Sequence, residues 1–140
     1  MIKKISIVAA LSYFLTGCAT GLNPSEKIEY RTMESKGIAV TEKSPATGAW
    51  LGILPGGGSF YAEEPGFGVL NLLLWPVSIF WDPVSGYEGS EKINYQVSKV
   101  QIIKIKQEQS KKINRELQDG VISSVEAKRQ LEDLEDKYSY

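Results

Sequence analysis

Cys18 is the one thiol of this 140-residue chain, and it stands directly after Leu15-Thr16-Gly17. A lone thiol excludes a disulfide within the chain. Histidine is absent, which removes the commonest general base and the commonest metal ligand. The serines therefore lack the usual activating partner, and no Ser-x-x-Lys stands in a supporting setting. Gly56-Gly57-Gly58 is not followed by Gly-Lys-Ser/Thr, so it is not a phosphate loop. The remaining candidate acids are Glu63, Glu64, Asp82 and Glu88. Glu63 and Glu64 are adjacent in a turn and read as solvent-facing. Asp82 follows Trp81 and suits a helix end, or hydrogen bonds into the Gly-rich helix, better than catalysis. No catalytic residue, metal set or cofactor is expected, and the chain reads as a non-enzyme.

These residues must be positioned by elements of very different composition. At the N-terminus, Lys3 and Lys4 precede an apolar run over residues 5–15 and a small-residue step at Thr16-Gly17. This is the order of a secretory leader, and the run is too short for a spanning helix. With Leu15-Thr16-Gly17 leading into Cys18, the segment resembles the lipobox of bacterial lipoproteins. The resemblance implies removal of residues 1–17, cleavage between Gly17 and Cys18, a thioether-linked diacylglycerol on Cys18 and a third acyl chain on the new amino group. Each buried methylene adds about 0.8 kcal/mol, so three chains would anchor the protein essentially permanently. Ala19 follows where inner-membrane lipoproteins often carry Asp, which implies the periplasmic face of an outer membrane in a Gram-negative host.

Without Lys3 and Lys4, Lys+Arg falls from 16 to 14 against 17 Asp+Glu, a balance that does not suggest a nucleic-acid partner. Residues 18–46 are rich in Ser, Thr, Glu, Lys and Gly, and their sparse apolar residues show no period. They read as a flexible tether spanning about 30 Å, with one short strand possible over residues 37–41.

Residues 47–83 hold all three tryptophans, Trp50, Trp75 and Trp81. The first apolar stretch contains Trp50 and Gly52 and breaks at Pro55-Gly56-Gly57-Gly58, where backbones can approach closely. A turn around Pro65-Gly66 leads to a near-continuous apolar run over residues 67–81. As one helix from 66 to 81 that run is about 24 Å long, short of the ~30 Å hydrocarbon core, and Pro76 would kink it. Asn71, Ser78 and Asp82 would share one face of it. A helix apolar around its other faces is buried or lipid-facing, so a hydrophobic hairpin in or on the bilayer is expected, with Tyr61, Trp75, Trp81 and Tyr87 at the interface. Leu54-Pro55-Gly56-Gly57-Gly58-Ser59-Phe60-Tyr61, Gly68-Val69-Leu70-Asn71-Leu72-Leu73 and Ile79-Phe80-Trp81-Asp82 resemble the two-transmembrane-segment hairpin domain, a family with no enzymatic activity to carry over.

Residues 84–92 read as a loop. Residues 93–140 are charged and mostly helical by pattern, although 100–105 alternates partly, as a strand would. Gly120 is a helix stop, and Ser123 with Glu126 has capping-box spacing. From about residue 109, the segment containing Leu117, Gly120, Ile122, Leu131 and Leu134 resembles the short C-terminal domain (SHOCT) family, which implies an interaction or oligomerisation element. Basic residues gather at 99–115 and acidic ones at 116–136, so folding back as a hairpin or antiparallel pairing of copies would join opposite signs. The basic stretch could touch anionic headgroups or lipopolysaccharide phosphates.

The expected architecture is mainly α: cleaved leader, disordered tether, short Gly-rich hydrophobic helical hairpin and charged C-terminal helical hairpin. The expected function is that of a membrane-anchored envelope lipoprotein with a structural or interaction role, partnered by the lipid bilayer and by an envelope protein or a second copy. The alternatives are a membrane-active or exclusion-type lipoprotein from a mobile element, and a carrier or enzyme with a pocket under the hairpin.

Overall fold

The computed structural model describes residues 21–140. Gly17 and Cys18, and with them the leader and the expected lipid attachment, lie outside the described residues. Every regular element among the described residues is helical: α1 (Pro24–Ser35), α2 (Pro45–Leu51), α3 (Gly57–Tyr61), α4 (Pro65–Leu73), a 3₁₀ turn (Val77–Phe80), α5 (Asp82–Gln118) and α6 (Ser124–Lys137). The mainly-α expectation therefore stands, and the possible strands at 37–41 and 100–105 do not form.

The chain divides into two compact units. Among the described residues, the first comprises 21–23 and 42–93 and the second 24–41 and 94–140.

In the second unit, α1 replaces part of the expected tether. Pro24 opens it, Glu26 complements the dipole of its first turn, and Tyr30 and Met33 are buried one turn apart. Gly37, at φ +66°, closes α1 as its N–H and that of Ile38 return to the carbonyls of Glu34 and Met33. The Tyr30 ring meets Tyr95 edge-on, with centroids 6.5 Å apart. Ile102, Ile113, Ala127, Leu134 and Tyr138 complete the buried apolar set. Gly120, at φ +72°, ends the turn after α5, and Ser123 caps α6 by accepting the Glu126 N–H at 3.2 Å. Fold-back of the tail joins the segregated charges in a Lys106–Glu135 ion pair of 2.5 Å.

The first unit departs most from expectation. No helix among the described residues is long and apolar enough to cross a membrane, so the two spanning segments that the hairpin resemblance implies are absent. The apolar run of 67–81 is not one helix. It ends as α4 at Leu73, passes a cis Trp75–Pro76 peptide and a 3₁₀ turn, and re-enters a helix at Asp82. The physical reason is Pro76, which lacks an N–H to continue the ladder and whose ring excludes helical continuation. The expected loop over 84–92 is instead the start of α5. Pro83 falls in the first turn, where its missing N–H costs nothing, and Gly86 and Gly89 are packing positions rather than breakers.

Candidate functional site

The first unit is organised around a buried carboxylate. Asp82 opens α5 and is fully buried. Its Oδ1 accepts the Ser59 N–H at 3.1 Å, the Ser59 hydroxyl at 2.6 Å and the Asn71 amide at 2.7 Å, while Oδ2 accepts the Gly58 N–H at 3.1 Å. The two backbone donors are first-turn groups of α3, which that short helix cannot satisfy itself. The Asn71 amide also donates to Ser59 Oγ at 2.9 Å, its Oδ1 accepts the Trp81 indole N–H at 2.9 Å, and its backbone carbonyl accepts the Ser78 hydroxyl at 2.8 Å. Five side chains, Ser59, Asn71, Ser78, Trp81 and Asp82, thus tie α3, α4, the 3₁₀ turn and α5 together.

Close backbone approaches hold the same elements. A Cβ built on Gly48 would lie 2.3 Å from the Gly86 carbonyl oxygen, and one on Gly86 would lie 2.2 Å from that of Gly48. Gly52 is packed against the backbone of Pro83, and Gly58 against the Asp82 carbonyl. Gly56 takes φ +71° to start α3, and the Phe60 ring lies across Gly68. The Tyr61 hydroxyl accepts the Ser44 N–H at 3.0 Å, while Ser44 Oγ caps α2.

The outside of this unit is apolar. Phe80 is 83% exposed, Leu73 76%, Trp50 73%, Leu54 58% and Trp75 53%. By contrast, the buried hydrophobic side chains among its described residues are Leu22 and Ala62, beside the polar Ser59, Asn71, Ser78, Asp82, Ser85 and Ser90. A water-soluble core has the opposite distribution.

Among the expected site residues, Gly52, Gly56, Gly58, Asn71, Ser78 and Asp82 are brought together inside, with Trp81 at the edge. Trp50, Phe60 and Trp75 face outward, and Pro55, Gly57 and Tyr61 are half-buried. Asn71, Ser78 and Asp82 do not share one helix face, because the chain path between them is broken; they converge from α4, the 3₁₀ turn and α5. Ser59, Gly48, Gly86 and Ser90 were not anticipated. The spacing Gly48-x₃-Gly52 and Gly86-x₃-Ser90 was the available signal, a small residue every four places on each of two helices. In the tail, Leu134 is buried, Leu131 and Ile122 are half-buried, and Leu117 and Gly120 are exposed. A groove of about 380 Å³ between α5 and α6 is lined by Lys112, Ile113, Glu116, Asp133, Leu134 and Lys137, among others.

No group of three or more His, Cys, Asp or Glu among the described residues could hold a metal. The second unit contains a coupled trio instead. The Tyr95 hydroxyl donates to Glu29 at 2.5 Å and accepts from the Lys99 ammonium at 3.0 Å. Burial, then the hydrogen bond to Glu29, pushes the Tyr95 pKa up, and the hydrogen bond to Tyr95 pushes that of Lys99 up. Both folded-state values are raised. Their stabilising contribution is therefore complete below the ordinary values near pH 10 and is lost as pH rises through the raised ones. A tyrosinate absorbance titration should show one tyrosine ionising above the ordinary range. Glu29→Gln should lower that tyrosine's pKa only partway, because burial is the larger cause; an unshifted titration would discount the hydrogen bond.

No family model, no curated protein and no solved structure matches the chain. The resemblances to lipobox lipoproteins, to the two-transmembrane-segment domain and to the short C-terminal domain are accordingly withdrawn. Short degenerate patterns carried all three, and the hairpin resemblance fails on the fold as well.

Proposed function

We propose that this chain is a non-enzymatic envelope protein that works at a bilayer surface. Its first unit is seated in one leaflet, and its C-terminal helices bind an envelope protein or a second copy. In a Gram-negative host its place is the periplasmic face of the outer membrane. The observation that carries the reading is the inverted distribution of the first unit, with polar residues inside and large apolar residues outside.

Burying a Leu, Phe or similar side chain gains about 1.5–3 kcal/mol. A unit that leaves Trp50, Leu54, Leu73, Trp75 and Phe80 outside forgoes that gain in water and recovers it in lipid. Within lipid, apolar contacts no longer distinguish inside from outside. Helices are then held by small-residue packing and interhelical hydrogen bonds, the two kinds of contact that join α2, α3, α4 and α5 here. Binding of this kind lies on the membrane rather than crossing it.

The test is vesicle flotation of the full chain carrying Cys18→Ala, so that no acyl chain contributes, with brominated-chain phospholipids as quenchers. Flotation that persists in high salt, with strong quenching of tryptophan emission, is expected because Trp50 and Trp75 face outward. A chain that stays at the bottom of the gradient, with unquenched emission, overturns the reading.

A further inference from the structure

We infer that the first unit recognises loosely packed, neutral phospholipid surfaces, as a wedge in a single leaflet that responds to packing defects. This rests on the membrane reading above and names the lipid chemistry. Three features of the unit combine to require it.

The first is length. α4 has nine residues, about 14 Å, and the 3₁₀ turn has four, about 8 Å. Each fits within half of a ~30 Å hydrocarbon core. Inserted material therefore expands one leaflet and leaves the other unchanged.

The second is shape. The outward side chains are bulky: Trp50 on α2, Leu73 at the end of α4, and Trp75 and Phe80 around the 3₁₀ turn. Such side chains need voids between headgroups before they can enter. Voids of that kind are abundant where a monolayer is strongly curved, and interfacial elements are curvature-sensitive for this reason.

The third is charge. Across residues 42–93 there are two lysines, Lys43 and Lys92, against six carboxylates, Glu42, Glu63, Glu64, Asp82, Glu88 and Glu91. Lys43 is already paired with Glu63 at 3.0 Å. An anionic leaflet attracts basic segments, and this unit offers it a net negative one. Adsorption must come from apolar insertion alone, which makes defect density, rather than headgroup charge, the controlling variable.

The experiment measures partition of full-length Cys18→Ala chain onto phosphatidylcholine vesicles at matched accessible lipid. Sonicated small vesicles are compared with extruded large ones, each with and without phosphatidylglycerol, at low and high salt. Partition is expected to be about tenfold stronger on the small vesicles, with no gain from phosphatidylglycerol and no loss in high salt. Phe80→Ser and Leu73→Ser alter exposed side chains, so they should leave helical circular dichroism unchanged while reducing the small-vesicle partition severalfold. Equal partition on both sizes, or partition that rises with phosphatidylglycerol and falls with salt, overturns the inference and leaves the membrane reading standing. No partition onto any vesicle overturns both. A lipid-independent dimer in which Trp50 and Phe80 become protected would likewise replace the bilayer with a second copy.

Discussion

Asp82→Ala is expected to unfold the first unit while leaving the second helical. The substitution strands four donors: the Gly58 and Ser59 N–H groups, the Ser59 hydroxyl and the Asn71 amide. Each buried unpaired donor costs about 1–3 kcal/mol, and water entering the void recovers part of that. A net loss of about 4 kcal/mol is a large fraction of what a small unit possesses. Asp82→Asn keeps the shape and an acceptor for Ser59 and Asn71, but sets an amide donor against the Gly58 N–H; its cost should be about 2 kcal/mol. Ser59→Ala removes one hydroxyl from the network and should cost about 1 kcal/mol. Because Trp50, Trp75 and Trp81 all lie in the first unit, tryptophan emission during denaturant unfolding reports it selectively. The Trp81 indole, bonded to Asn71, is a direct reporter of the network. An unfolding midpoint for Asp82→Ala equal to that of the unchanged chain would show that the carboxylate holds nothing together.

The same carboxylate marks how far the sequence could be read. Asp82 next to Trp81, after a run containing Asn71 and Ser78, offered either a helix end or hydrogen bonds into the Gly-rich helix, and it both opens α5 and accepts the Gly58 and Ser59 N–H groups. The tail was legible too, because helix ends are decided locally. Gly120 supplies a positive φ, and Ser123 accepts the N–H three residues on. The first unit was not legible in detail because its stabilisation is non-local and inverted. Periodicity finds helices by their apolar inward face, whereas here the inward residues in the first-unit part of α5 are Asp82, Ser85, Gly86 and Ser90. In a pattern search those residues read as a loop. α1 was missed for a related reason: only Tyr30 and Met33 are buried, too few to establish a period in a polar segment.

The glycines carry the second large effect, and their environments rank it. Gly86→Ala would gain up to ~1 kcal/mol of helix propensity in isolation. The new methyl, however, would lie 2.2 Å from the Gly48 carbonyl oxygen, well inside ordinary contact. What it meets is backbone, so no rotamer change can relieve it, and α2 must move away from α5. Separation by more than 1 Å would also loosen the neighbouring contacts of Gly52 with Pro83 and Gly58 with Asp82. Overpacking of this kind costs about 1–3 kcal/mol, and the loosened contacts add to it, so the net effect is a loss of about 2 kcal/mol. Gly66→Ala is the control: nothing lies within 4 Å of a Cβ there, so stability should be unchanged or slightly raised. Gly89 provides the sharper comparison. A Cβ at that position would meet the Ala62 Cβ at 2.5 Å, a side-chain atom that can be deleted. Ala62→Gly should therefore rescue Gly89→Ala, with a favourable coupling of about 1 kcal/mol or more in a double-mutant cycle, yet do nothing for Gly86→Ala. Rescue of both, or of neither, would mean that the two glycines are not separate contact points between α5 and the shorter helices. Where the clash is with backbone, only glycine lets the helices approach closely enough to keep the Asp82 network closed.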